Sequence, residues 1–409
     1  MNILISAYAC EYGKGSEPEV GWQWVQQISR FNDICVITRL SNKNNIEYFS
    51  KYSNNNIIYE YIDLPIWTKF WKKGKRGVHL YYYLWQLLTL KKGLELIKYN
   101  KFNLSHHITF INDWVGPGIS AIPISFLWGP IGSHPYVPKK FWEFIGKKEI
   151  LNGLLRISAR KSARYRDLLY ILALKRAKII LTANSECKSR LPEKYKIKAQ
   201  IFTQNAIDEK EIIKNKIFKK GPLKIISVGR LEGFKGFRLT LMAFAEHIKK
   251  HKNSLLSILG DGSQKKELEY LSKNLNINKS VKFYGNIPRD QVLNEMQNSN
   301  VFLFPSFEGA GMVVIEALAK GLPVVCLDFG GPGEYVTNDC GIKISLSEPK
   351  EVINDLAEGL NRLASDTILL ESMSNGAIKR VKENYLWNNY GERINKIYKE
   401  IIYGNFSDR

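Results

Sequence analysis

The stretch "VFLFPSFEGAGMVVIEALAKGLPVVCLD", residues 301–328, decides the predicted fold because it contains a strand, a turn, a helix and a second strand in succession. The runs VFLF and PVVCL have the length and the β-branched content of buried strands. Between them, MVVIEALAK has helical length and stops before Gly321, and glycine is the residue preferred just beyond a helix C-terminus. Strand, helix and strand in this order predict an α/β domain with a parallel sheet.

The same alternation extends along the chain. Strand-like runs precede longer amphipathic segments at NILISAYA (2–9), ICVIT (34–38) and AKIILTAN (177–184). The alternation of strand-like and helical segments begins again at LKIISVG (223–229). The restart follows a polar, lysine-rich stretch, DEKEIIKNKIFKKGP (208–222), which is typical of a linker.

A chain of 409 residues is long for one domain. We therefore predict two facing Rossmann-like, doubly wound domains with an interdomain cleft, in which ligands bind at the carboxyl ends of the strands. The first domain covers 1–207, with the C-terminal helix 385–409 able to pack back on it, and the second covers 208–384.

Composition limits the partners and the compartment. The chain has 60 Lys and Arg against 39 Asp and Glu, a formal net charge of +21, which suits an anionic partner but also follows from a general lysine-rich bias. Five scattered cysteines without CxxC spacing favour neither a disulfide framework nor a zinc site. The N-terminus is more typical of an opening strand than of a signal peptide, and no run of about 18 apolar residues occurs. A cytoplasmic location is expected.

Two glutamates flank the glycine-rich turn of the opening stretch. Glu308 precedes Gly309 and Gly311, and Glu316 lies inside the following helix. A carboxylate accepts two hydrogen bonds, which suits the vicinal diol of a sugar or a ribose. The helix N-terminus between them suits a phosphate. A mid-helix ion pair is the alternative interpretation for Glu316.

Two cations follow a strand in ISVGRLEGFKGF (226–237). Arg230 lies at the strand end and Lys235 at the start of the next helix, so both can converge on one diphosphate. Neutralising a departing diphosphate is electrostatic catalysis; two solvated cations are the alternative. GGPGEYV (330–336) is interpreted either as an anion-binding concavity or as a plain turn. Walker A, G-x-G-x-x-G and D-x-D patterns are absent from the sequence.

These motifs resemble glycosyltransferase family 4, the retaining enzymes of GT-B fold with an E-x7-E motif preceded by Arg and Lys. The resemblance is dense over the C-terminal half, including ILGDGSQKKELE (258–269) and VKFYGNIPRDQVLNEMQNSNVFLFPS (281–306). It implies that Arg230 and Lys235 hold the donor diphosphate, Glu316 the ribose and Glu308 the donor sugar. The remaining donor-binding residues that it implies are Gly15, Ser16, Gly285, Asn286, Gly309, Ala310, Gly311, Met312 and Val313. Ala310 stands where the family often has a bulkier aromatic residue, and Met312 stands where leucine is common. The identity of the donor sugar is therefore not predicted.

Two N-terminal segments extend the resemblance. YACEYGKGSEPEVGW (8–22) is similar to the glycine-rich loop that reaches toward the donor, and LSHHITF (104–110) is similar to the strand whose histidine faces the transferred sugar. His107 is the predicted catalytic histidine, with His106 as the alternative. A hydrogen-bonded core histidine remains an equal interpretation of either position.

Aromatic and basic residues alternate in WTKFWKKGKRGVHLYYYLW (67–85). Such a mixture is typical of a membrane interface, where rings enter the headgroup region and cations meet anionic lipid. Stacking on single-stranded nucleic acid and a partly buried aromatic cluster are the alternatives. The residues concerned are Trp67, Lys69, Phe70, Trp71, Lys72, Lys73, Lys75, Arg76, Tyr81, Tyr82, Tyr83 and Trp85.

Together these features predict a metal-independent, retaining hexosyltransferase with Arg230, Lys235, Glu308 and His107 as catalytic residues. Its donor is a nucleoside diphosphate sugar, expected to be UDP-linked. Its acceptor is a glycan or a lipid-linked glycan in polysaccharide or lipopolysaccharide assembly. The protein is expected to be peripheral on the inner face of the cytoplasmic membrane, without nucleic acid, metal or cofactor. The alternatives are a nucleotide-sugar epimerase of GT-B fold and a non-catalytic basic membrane- or RNA-binding protein.

Overall fold

The computed structural model describes residues 1–51, 56–72, 76–132, 136–218 and 221–404. The chain divides into two compact units. The first comprises Met1–Ser133, Ile157–Gln204 and Trp387–Arg409, and the second comprises His134–Arg156 and Asn205–Leu386. Each unit is built on a parallel sheet with helices, which confirms the predicted α/β class.

The sheet of the first unit has seven strands in the order β3-β2-β1-β4-β5-β6-β7. The strands are β1 (Asn2–Ala7), β2 (Asp33–Arg39), β3 (Ile57–Ile62), β4 (Leu104–Thr109), β5 (Ser125–Ile131), β6 (Ala177–Thr182) and β7 (Ala199–Ile201). Strand β1 pairs in parallel with both β2 and β4, as in a doubly wound fold.

The sheet of the second unit has six strands in the order β10-β9-β8-β11-β12-β13. They are β8 (Lys224–Val228), β9 (Leu255–Leu259), β10 (Val281–Gly285), β11 (Val301–Phe304), β12 (Val324–Leu327) and β13 (Gly341–Ile344). All four side chains of β11 and of β12 are fully buried, because a parallel strand covered on both faces has no polar side.

Helices connect the strands. They are α1 (Ser16–Ser29), α2 (Lys43–Ser50), α3 (Val78–Tyr99), α4 (Trp142–Ile145), α5 (Lys147–Arg166), α6 (Leu168–Arg176), α7 (Ser185–Ser189), α8 (Glu193–Lys196), α9 (Phe237–Lys250), α10 (Lys265–Asn274), α11 (Arg289–Asn298), α12 (Met312–Ala319), α13 (Gly330–Tyr335), α14 (Pro349–Ser365), α15 (Thr367–Asn384) and α16 (Trp387–Tyr403). The predicted stop after α12 is confirmed, since Gly321 has the left-handed φ of +62°.

The segment 134–156 belongs to the second unit, although the sequence analysis expected 1–207 to form the first domain. Fully buried Phe141 explains this membership. Its ring centroid lies 5.2 Å from that of Phe307, the residue just before Glu308. The segment therefore supports the turn that carries the predicted site.

Helix α16 lies in the first unit. The hydroxyl of Tyr398 is 2.7 Å from Nδ1 of His106 in β4, and the hydroxyl of Tyr390 is 2.6 Å from Oγ1 of Thr203. These buried hydrogen bonds fix the C-terminal helix to the first sheet.

Candidate functional site

The strand order of the second unit creates a topological switch point between β8 and β11. The chain proceeds from β8 to β9 on one side and from β11 to β12 on the other. Ligands of doubly wound sheets bind outside the carboxyl ends of the strands at such a point. The loops that leave β8 and β11 carry the predicted residues Arg230, Lys235 and Glu308.

These two loops are joined by backbone contacts. The amide of Phe307 donates to the carbonyl of Phe234 at 2.8 Å. Gly236 has φ of +74°, and a Cβ atom added to it would lie 1.9 Å from the carbonyl oxygen of Pro305. Only glycine permits this approach, so the sequence "KGF" brings the Lys235 loop against the Glu308 loop.

Lys235 and Glu308 form an ion pair through the lysine Nζ and Oε2 of the glutamate. Only 13% of the Lys235 side chain and 10% of the Glu308 side chain are exposed. Two of the four residues predicted to be catalytic are therefore in direct contact. The pair is largely withdrawn from water. Removing one partner would therefore leave an uncompensated charge in a buried site.

The second carboxylate oxygen of Glu308 takes no part in the ion pair with Lys235. Oε1 is buried and has no hydrogen-bond partner among the described residues. It lies 3.1 Å from the position of a Cβ atom added to Gly311, whose φ is +90°. The missing side chain of Gly311 thus avoids a tight contact with an acceptor that lacks a donor. Such an oxygen can receive a hydrogen bond from a ligand hydroxyl.

The GGPG segment supports this turn. Added Cβ atoms would lie 2.1 Å from the Glu308 carbonyl oxygen at Gly330 and 1.7 Å from the Ala310 carbonyl oxygen at Gly331. The amide of Gly331 donates to the Glu308 carbonyl at 3.2 Å. These glycines allow α13 to pack against the turn backbone. Since the Gly331 amide is already bonded, that amide does not contribute to an anion-binding concavity.

A pocket of about 590 Å³ opens beside Arg230 at the carboxyl ends of β8, β9 and β10. This volume lies in the range of small-molecule sites. The Arg230 side chain is exposed, and no described residue forms an ion pair with it. The lining residues are Val228, Gly229, Arg230, Leu259, Gly260, Asp261, Asn286, Ile287 and Val292. The structure thus places the predicted residues Arg230 and Asn286 in one pocket. Gly285, the last residue of β10, directly precedes Asn286.

Helix α12 begins at the turn that carries Glu308. Gly311 is its N-cap, and the predicted residues Met312 and Val313 form its first two positions. The first amides of a helix have no intrahelical acceptor and lie at its positive end. Gly309 and Ala310 precede them. The turn therefore presents backbone donors close to the Lys235–Glu308 pair.

Glu316 lies on α12 in an ion pair, as the alternative interpretation proposed. Nη2 and Nε of Arg289 approach its Oε1 at 2.7 and 3.2 Å, and Nη2 also contacts Oε2 of Glu211 at 2.6 Å. Neither Arg289 nor Glu211 was predicted from the sequence. The available signal for Arg289 was its position four residues after Gly285, beyond the carboxyl end of another strand of the same sheet.

The predicted N-terminal loop lies in the first unit. Gly15 and Ser16 have positive φ values of 64° and 51°, and Ser16 begins α1. The adjacent Glu17, which the sequence analysis missed, accepts a hydrogen bond from the amide of Ile111. Burial raises the pKa of Glu17 to about 7, while the Ile111 amide opposes this shift. Glu17 thus joins the first turn of α1 to the loop after β4.

Both candidate histidines are buried in β4. For His107, Nε2 is 2.9 Å from the Tyr82 hydroxyl and Nδ1 is 3.0 Å from Oγ of Ser6. For His106, Nε2 is 2.6 Å from the Gly129 carbonyl oxygen, and Nδ1 makes the contact with the Tyr398 hydroxyl described above. Burial lowers the pKa of each to about 3, so both rings are neutral at pH 7. These contacts are those of hydrogen-bonded core histidines, and a sugar contact from His107 stays a prediction.

The aromatic and basic segment divides into a buried part and an exposed part. Tyr81, Tyr82 and Trp85 on α3 belong to the core. In contrast, Ile66 is 88%, Trp67 79% and Phe70 80% exposed. We call these three residues the apolar tip. Among the cations, Lys69 is paired with Asp63 at 2.6 Å, Lys72 lies 4.4 Å from the centre of the Tyr81 ring, and Arg76 is exposed. Lys73 and Lys75 lie outside the described residues.

In the part of the chain that the structure describes, no group of three or more His, Cys, Asp or Glu side chains is placed to hold a metal ion. None of the described helices is both long and apolar enough to cross a membrane. Metal independence stays a prediction.

Comparison with solved structures identifies the class of fold. The lipopolysaccharide outer core galactosyltransferase WaaB, in its apo form, has a TM-score of 0.64 at 15% identity, covering 99% of this chain and 100% of that one. The Anabaena protein HepE in complex with UDP has a TM-score of 0.62 at 15% identity, covering 98% and 100%. The two Rossmann-like units thus define a GT-B fold, as predicted.

Sequence comparison identifies the second unit more closely. Residues 208–380 match the family described as glycosyl transferases group 1. An uncharacterised glycosyltransferase of Methanocaldococcus jannaschii is 32% identical over 177 residues, which cover 43% of this chain and 44% of that protein. The chain spans about half the length of the curated relatives it matches.

Proposed function

We propose that this protein is a retaining glycosyltransferase that moves a hexose from a UDP-linked donor to a glycan or lipid-linked glycan. The observation that carries the proposal is the Lys235–Glu308 pair, in which one carboxylate oxygen is bonded and the other is buried without a donor. A pocket with an exposed arginine at its edge lies at the same sheet edge. The cation suits the diphosphate of such a donor, the acceptor without a bonded donor suits its sugar, and the pocket suits its nucleoside.

Each part of the donor has a proposed partner. The diphosphate lies between Arg230, Lys235 and the first amides of α12, where positive charge and unpaired donors coincide. Oε1 of Glu308 accepts a hydrogen bond from a sugar hydroxyl. The pocket receives the base beside Asn286, and Glu316 accepts the ribose hydroxyls.

The proposed chemistry transfers the sugar on one face of the ring. The bond between the anomeric carbon and the diphosphate oxygen breaks, the acceptor oxygen bonds to that carbon, and the departing oxygen takes the acceptor proton. Negative charge grows on the diphosphate, where Arg230 and Lys235 stabilise it without reorganisation. Glu308 positions the sugar rather than attacking it, because same-face transfer with the departing oxygen as the base requires no carboxylate nucleophile.

The comparisons support the donor class. HepE, whose fold this chain shares, is described in complex with UDP. The galactosyltransferase WaaB is described as acting on the lipopolysaccharide outer core. By analogy we propose a UDP-sugar donor and an acceptor of cell-surface polysaccharide or lipopolysaccharide assembly.

A thermal-shift series tests the donor. UDP at a hundred times its dissociation constant is expected to add about 2.7 kcal/mol of apparent stability, and GDP and UMP are expected to add less. UDP-sugars are then compared, and UDP release is followed with and without an acceptor in the presence of EDTA. Failure of every nucleotide to shift the transition would refute the proposal. Conversion of the donor sugar without an acceptor would favour the epimerase, and activity only with added Mg²⁺ or Mn²⁺ would refute metal independence.

We further propose that the apolar tip docks on an anionic membrane, where a lipid-linked acceptor resides. Ile66, Trp67 and Phe70 present three large side chains to solvent, and exposed Arg76 lies on the same connection. Large apolar residues enter the headgroup region, and cations bind anionic lipid.

Vesicle sedimentation tests this surface. Since burying one large apolar side chain contributes about 1.5–3 kcal/mol, the double variant Trp67→Ala/Phe70→Ala is expected to bind phosphatidylglycerol vesicles at least about tenfold more weakly. Tyr270→Ala, which removes a ring that is 66% exposed in the second unit, is the matched control and should bind normally. Equal binding by all three proteins would contradict the proposal.

A further inference from the structure

Arg289 forms a bridge that the donor contacts assigned above do not include. It is the first residue of α11, and the loop just before it contributes Asn286 and Ile287 to the pocket. Its Nη2 lies 2.7 Å from Oε1 of Glu316 and 2.6 Å from Oε2 of Glu211. One guanidinium nitrogen thus connects two carboxylates at the end of a loop that lines the pocket.

The bridge is anchored on the Glu211 side. Lys320 donates to the Glu211 carbonyl at 2.7 Å, and the amide of Ile213 donates to the Ala319 carbonyl at 3.1 Å. The segment that the sequence analysis interpreted as a linker is therefore fixed to α12. The Arg289 side chain itself is 60% exposed, whereas Glu211 and Glu316 are 18% and 15% exposed. An exposed arginine contributes little to the core, so its contacts chiefly affect the carboxylates that it holds.

The geometry selects one oxygen of Glu316. Both Arg289 contacts, from Nη2 and from Nε, are made to Oε1. A side chain held in this manner keeps one rotamer, and Oε2 stays available to accept hydrogen bonds.

We propose that Arg289, held by Glu211, is a positioning residue that fixes Glu316 so that Oε2 meets the ribose diol of the donor. The inference rests on the assignment of Glu316 to the ribose in the proposed function. Arg289 acts through Glu316 on donor affinity and does not touch the reacting atoms. Its loss therefore raises the donor KM and leaves kcat at saturating donor unchanged.

The test compares the dissociation constants of UDP and 2′-deoxy-UDP by calorimetry. The unaltered protein is expected to prefer UDP about tenfold, the equivalent of one hydrogen bond. Arg289→Gln and Glu316→Gln are each expected to weaken UDP binding about tenfold and to remove most of the preference. The double variant is expected to bind no more weakly than either single variant, because both act on one contact. Asp290→Asn, an exposed neighbour on α11, is the control.

The outcomes separate two failures. If the unaltered protein does not distinguish the two nucleotides, the ribose assignment of Glu316 is wrong, and this inference falls with it. If Glu316→Gln removes the preference but Arg289→Gln retains it, the positioning role alone is refuted. An additional loss of affinity in the double variant, or a lower kcat for Arg289→Gln, also refutes it, because Arg289 then acts independently of Glu316.

Discussion

Replacing Lys235 by alanine is expected to reduce kcat by about 10²–10³-fold, the typical cost of removing one preorganised electrostatic contact. The same change is expected to lower the free energy of unfolding by about 3–5 kcal/mol, because it leaves the Glu308 carboxylate buried and uncompensated. The measurements are kcat at saturating donor and urea unfolding. Two solvated cations were the alternative interpretation of Arg230 and Lys235, and the burial of Lys235 against Glu308 contradicts it for Lys235.

A double variant separates the two effects. Lys235→Met with Glu308→Gln removes both charges at similar volume and is expected to recover most of the lost stability but none of the transfer. Lys250→Ala, which breaks a largely exposed pair with Glu358, is the control and should stay within about 1 kcal/mol. The diphosphate assignment is wrong if Lys235→Ala retains near-normal kcat. If the double variant recovered transfer, Lys235 would serve only to compensate the charge of Glu308 and would not act on the diphosphate.

Local sequence was sufficient to predict most strands and helices. The runs VFLF and MVVIEALA became β11 and α12, since short β-branched runs and a helix that ends at glycine are specified by neighbouring residues. The membership of 134–156 in the second unit was not predictable. It depends on the packing of Phe141 against Phe307, which are far apart in the sequence.

The candidate site was predictable in its residue types but not in its pairings. Motif spacing brought Arg230, Lys235 and Glu308 to one sheet edge, because parallel strands end together. The direct contact of Lys235 with Glu308, 73 residues later, follows from the close approach of two loops, which spacing alone does not give. Arg289 was missed for the same reason, since its partner Glu211 lies in a segment without secondary-structure periodicity.

Replacing Arg230 by alanine is expected to reduce kcat/KM for the donor by about 10²–10³-fold and to leave the free energy of unfolding within about 0.5 kcal/mol of the original. The side chain is exposed at the pocket edge, so its removal breaks no described ion pair. The Arg230→Ala variant therefore measures an electrostatic contribution to transfer alone, whereas Lys235→Ala changes both transfer and the free energy of unfolding.

Arg230→Lys keeps the charge but loses the bidentate fork, and an intermediate loss of about tenfold in kcat/KM is expected. Arg362→Ala, exposed on α14, is the control. Unchanged kcat/KM in Arg230→Ala would show that neutralisation of the leaving diphosphate does not depend on this residue.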